Sequence, residues 1–104
     1  MARFDVYTNP DRGERRHTPF VMDLQNGFLD MLDTFVAVPL RAPRHIPTVI
    51  ARLHPELKVN GLGVVMDTPM MATFPKRGLG PAVANLRNSQ FEIQDALDTL
   101  LGDL

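Results

Sequence analysis

Few side chains in this 104-residue chain could do covalent chemistry. The only serine is Ser89, and a serine nucleophile needs a base and an orienting group beside it. Ser89-Gln90-Phe91-Glu92 instead has capping-box spacing, a hydroxyl followed three residues later by a glutamate. We therefore read Ser89 as a helix cap. His17, His45 and His54 share no i, i+4 pair and no His-Glu-x-x-His motif, and we read them as scattered surface histidines rather than zinc ligands. The absence of cysteine excludes thiol nucleophiles, thiolate metal sites and disulfides. Gly78-Leu79-Gly80-Pro81 lacks a following Lys-Ser/Thr pair, so it reads as a turn and not a phosphate cradle. The sequence offers no catalytic set, no cofactor-binding loop and no metal site.

One cluster keeps an enzymatic alternative open. Arg12, Arg15, Arg16 and His17 could stabilise phosphate charge and cut RNA if a base joined them. The plainer reading is a solvated loop. The net charge is −1, without the basic excess of a dedicated nucleic-acid binder.

The elements that must position these residues are mostly strands. Phe4, Val6 and Thr8 alternate with Arg3, Asp5 and Tyr7, a half-buried strand pattern. Turn formers follow in Asn9-Pro10-Asp11-Arg12-Gly13. Residues 19–25 read as a second strand opened by Pro19, closed by the turn pair Asn26-Gly27. Residues 35–40 are rich in β-formers, and Pro39 should end that strand or place it at an edge. Ile46 and Thr48-Val49-Ile50 suggest a short strand. Leu57-Lys58-Val59 and Gly63-Val64-Val65-Met66 flank Asn60-Gly61-Leu62, a hairpin signature. Residues 70–74 form a last strand candidate. From Ser89 the period becomes helical, with Ile93, Ala96, Leu97, Leu100, Leu101 and Leu104 on one face. Leu86 shares that face, which extends the expected helix back toward Pro81, and Gly102 should end it.

Length allows one domain, 1–104, without repeat or linker. Hydrophobic residues at 44% and charged residues at 22% are those of a folded globular protein. No signal-peptide core and no membrane-length apolar run is present, so the expected location is the cytoplasm, with no membrane partner. Strands followed by a single helix give the expected class: mainly β with one C-terminal α-helix.

Over its whole length the chain resembles the CcdB toxin family. The likeness runs through Val6-Tyr7-Thr8, then Val21, Asp23, Gln25 and Asp30. It continues through Val38-Pro39-Leu40, Leu53-His54-Pro55, Asp67 and residues 70–75. Val83-Ala84-Asn85-Leu86 and Ile93-Gln94-Asp95-Ala96-Leu97 extend it to the C-terminus. The resemblance implies an SH3-like barrel or antiparallel sheet of the CcdB/Kid type, usually a homodimer. It also implies a non-enzymatic toxin that binds the A subunit of DNA gyrase, traps its cleaved-DNA complex and is neutralised by a partly disordered CcdA-like antitoxin. Direct sequence-specific nucleic-acid binding by the toxin alone is not expected. The family's gyrase contacts correspond to Phe28, Leu29, Asp98, Leu101, Gly102, Asp103 and Leu104. Where the family ends in Trp-Gly-Ile this chain reads Gly102-Asp103-Leu104, and it has no tryptophan at all. A ribonuclease of the Kid/MazF kind, or an antitoxin-binding protein that no longer poisons gyrase, are the alternative readings.

Overall fold

The computed structural model describes residues 1–102. Seven strands and one helix follow in order: β1 Asp5–Thr8, β2 Phe20–Asp23, β3 Thr34–Arg41, β4 Glu56–Val59, β5 Leu62–Met66, β6 Ala72–Pro75, β7 Ala84–Asn85 and α1 Gln90–Leu101. The strands form one antiparallel sheet, order β4-β5-β3-β2-β1-β7, with β6 added alongside β3. The sheet curls into a nearly closed barrel-like form, and the expected mainly-β class with a C-terminal helix holds.

Strand alternation explains how both faces are buried. Val6, Met22, Val38 and Leu40 point to one side and meet Ile93, Ala96 and Leu97 of α1. Tyr7, Val21, Phe35 and Ala37 point to the other and form a second cluster with Phe74 and Leu79 against it. The rings of Phe35 and Tyr7 lie 6.2 Å apart, and those of Phe35 and Phe74 6.1 Å. The β4–β5 hairpin forms as its sequence dictates. Asn60 (φ 51°) and Gly61 (φ 87°) both take the left-handed conformation of a two-residue turn whose twist matches the strands.

Three expectations are corrected. Pro39 neither ends β3 nor lies at an edge. It sits opposite Val21 in a strand that runs on to Arg41. The reason is a change of neighbour on β3's other side, from β6 (last pair Ala37↔Ala72) to β5 (first pair Leu40↔Met66). In that gap residue 39 supplies only its carbonyl, which accepts from Asp67 N at 3.0 Å, and no donor is missed.

Thr48-Val49-Ile50 is not a strand. Ile50 O accepts from Leu53 N and His54 N, each at 2.8 Å, and Ile50 N donates to His54 Nδ1 at 2.9 Å. A local turn thus takes up the backbone groups a sheet would use.

The helix begins at Gln90, not near Pro81. Residues 84–85 pair with β1 (Asp5↔Asn85, Val6↔Ala84). Leu86 is buried as expected, but from an extended approach, with its N donating to Phe4 O at 3.0 Å. Ser89 precedes the helix without a side-chain capping bond, so the capping-box reading fails. A 3-10 turn, Arg87–Ser89, leads into the helix, and Gln90 N donates to Arg87 O within it. The C-terminal stop holds, with Gly102 left-handed at φ 82°.

Candidate functional site

Two segments carry the expected target contacts, and a third carries the arginine cluster. The first is the turn after β2. Asn26 accepts from Phe28 N at 3.0 Å and starts the 3-10 turn Gly27–Leu29. Gln25 braces it, its side-chain nitrogen donating to Thr34 O at 3.2 Å and its oxygen accepting from Val36 N at 3.3 Å. Asp23, buried in β2, accepts from Gln25 N at 2.7 Å, and burial raises its carboxyl above the ordinary range. Beyond the turn, Asp30 is held by the N-terminal ammonium at 3.0 Å and by Lys76 at 3.2 Å. These two partners lower its pKa.

Polar bonds therefore fix a turn whose apolar side chains point outward. Phe28 is 87% exposed, and Leu29, Met31 and Leu32 are exposed beside it. Met31 and Leu32 are additions to the residues expected from sequence. Their signal was the dense apolar content of Phe28-Leu29-Asp30-Met31-Leu32 just after the turn pair Asn26-Gly27, on no strand or helix assigned from the sequence.

The second segment is the outer face of α1. Asp98 is half-buried and accepts from Gln94 Nε2 at 2.9 Å. Leu101, the last helical residue, is 69% exposed, so the core face predicted from the helical period ends before it. Gly102 N donates to Asp98 O at 2.9 Å. Asp103 and Leu104, also expected contacts, lie outside the described residues. Phe91 is 82% exposed on this same face, seven residues before Asp98, and sequence reading missed it. An aromatic opposite the buried Ile93–Ala96–Leu97 stripe was the available signal. Arg3 bridges the two segments, Nε donating to Leu24 O at 3.0 Å and its terminal nitrogen to Gln94 Oε1 at 3.1 Å.

One member of the arginine cluster has a structural role. Arg15 Nε donates to Asn9 O at 2.7 Å and closes the loop. His17 faces another imidazole, His45, with ring centroids 4.0 Å apart. Ser89 lines an open cleft of about 520 Å³ with Pro43, Glu56, Lys58 and Val64, and among the described residues no histidine stands in its wall. Among the described residues no hydrogen bond joins the Ser89 hydroxyl to Glu56 or Lys58, so the serine is not held as an activated nucleophile.

His54 corrects the reading of all three histidines as surface groups. It is buried, and its Nε2 lies 3.2 Å from Asp67 Oδ1. Asp67 Oδ2 accepts from Arg41 Nε at 2.6 Å, and Arg41 donates onward to Thr18 at 3.0 Å. This chain joins four separate stretches of sequence, which is why spacing alone did not show it. Among the described residues no three His, Asp or Glu side chains are grouped to hold a metal ion, and no helix is long and apolar enough to cross a membrane.

The domain is a nearly closed antiparallel barrel with one C-terminal helix, and it displays apolar side chains from a braced turn and from the helix's outer face. The chain belongs to the CcdB family: the family model described as CcdB protein matches residues 3–102. Membership makes it a toxin of the toxin–antitoxin kind. No curated protein sequence matches it.

Proposed function

We propose that this toxin binds the A subunit of DNA gyrase, holds the enzyme's cleaved-DNA complex, and is released from it by a CcdA-like antitoxin. It works as a cytoplasmic homodimer and catalyses no reaction of its own. The observation that carries this reading is the exposure of Phe28 and Leu101, large apolar side chains on two braced segments; the resemblance aligns both with the family's gyrase contacts. Exposed apolar groups on rigid supports lose little entropy when buried by a partner. Leu29, Asp98, Gly102, Asp103 and Leu104 complete the contact set, with Phe91 and Met31 at its margin. Phe91 and Phe28 supply aromatic area in a chain that lacks tryptophan.

The test is gyrase-dependent DNA cleavage with purified toxin and gyrase from the same organism. Cleaved DNA should accumulate with the natural protein. Phe28→Asp and Leu101→Asp should each weaken the effect at least ~30-fold, the loss of one interface hot spot at ~2 kcal/mol. A folded toxin that neither binds gyrase nor alters cleavage would sink the gyrase reading while leaving family membership untouched.

A further inference from the structure

His17 and His45 make a contact that the toxin reading does not use. His17 lies near the end of the loop between β1 and β2, and His45 ends the 3-10 turn Pro43–His45. Their rings lie 4.0 Å apart, tilted by 44°. Ala42 N donates to His17 O at 2.8 Å, so a backbone bond and a ring contact join the two loops. Arg44 Nε donates to His45 Nε2 at 3.2 Å. That bond needs a free electron pair on Nε2, so His45 is neutral in this arrangement.

The surroundings of His45 are cationic. Arg16 and His17 face it from the first loop and Arg44 from its own turn. His45 also lines an open cavity of about 440 Å³ with Arg41, His54 and Asp67. Asp67 supplies the carboxylate in that wall, and its two oxygens are taken by Arg41 and His54. We propose that the His17–His45 contact is an acid-released latch between the loop ending at Thr18 and the segment beginning at Pro43. Protonation of His45 removes the acceptor that Arg44 uses and places a new cation among Arg16, His17 and Arg44. The two loops then separate.

The direction follows from linkage. Desolvation first, then the charges of His17, Arg44 and Arg16, hold His45 below its ordinary value of 6.5. The open state binds the proton more readily than the closed state. The closed latch is therefore fully favoured above 6.5 and weakens as pH falls through that value toward the lowered one.

The test follows the imidazole signals of the labelled full chain by NMR from about pH 7.5 to about pH 5, with amide exchange measured in parallel. His45 should titrate below the ordinary histidine value. The protection factor of Ala42, whose amide is bonded to His17 O, should fall by about threefold or more across the same midpoint. His17→Gln should raise the His45 midpoint, and His45→Gln should remove the pH dependence of Ala42 protection. A His45 midpoint unmoved by His17→Gln, or Ala42 protection that stays flat through the titration, overturns the proposal.

Discussion

Tyr7 is the only tyrosine, and it carries a readable signature. Burial first, then the nearby carboxylates of Asp5 and Asp23, push its phenol up to about 12 from 10.0. The folded state thus holds the proton more tightly than the unfolded state. Stability from this group is present below 10.0 and is lost as pH rises from 10.0 through about 12. The ultraviolet absorbance of the phenolate should show one midpoint near about 12, and Tyr7→Phe should flatten the alkaline loss of stability. A midpoint near 10.0 with the chain still folded would contradict the buried placement. Arg41 is the other residue with a sharp expectation. Truncating it to Ala leaves Asp67, 13% exposed, with His54 as its remaining partner. The loss should be on the order of 2–3 kcal/mol in urea unfolding, below that of a fully buried pair because Arg41 retains some water contact.

At the scale of elements, the β4–β5 hairpin gives the cleanest test of local coding. A Cβ added at Gly61 meets nothing within 4 Å, so Gly61→Val strains only the backbone, whose φ is +87°. The cost should be roughly 1–2 kcal/mol, seen as a lower urea midpoint with unchanged slope. This hairpin was legible in the sequence because its signal is contained in a few adjacent residues. Elements missed or misplaced depend on distant partners. Pro39 is tolerated because β3 changes neighbour beside it, and residues 84–85 are extended because β1, at the other end of the chain, offers an edge. Ser89 had the right spacing for a cap, but a 3-10 turn satisfied the backbone first. The candidate contact set divides the same way. Phe28, Leu29 and Leu101 came from likeness to a family. Met31, Leu32 and Phe91 required knowing which sides of the turn and helix the core leaves uncovered.

At the scale of the whole molecule, the sheet separates two small cores, and each should respond to truncation. Phe35→Ala, 1% exposed in the second cluster, should cost about 3–5 kcal/mol in denaturant unfolding. A cost below about 1 kcal/mol would mean that this second layer does not hold the sheet together. β1, near one end of the chain, pairs with β7, near the other, so completing the sheet must await nearly the whole chain and folding should be slow for its size. The outermost strand, β4, has a consequence of its own. Its register with β5 pairs Val59 with Leu62 across the turn, and alternation then turns the backbone groups of Glu56 and Lys58 away from β5, on the side of the open cleft that Pro43 and Ser89 also line. Those two residues are also the exposed ones on β4, and they carry opposite charges. An incoming strand would have to settle its own side chains beside both. The chain therefore guards this open rim against stacking into fibrils when it is made in excess, and replacing both residues with valine should turn a clear solution cloudy on concentration.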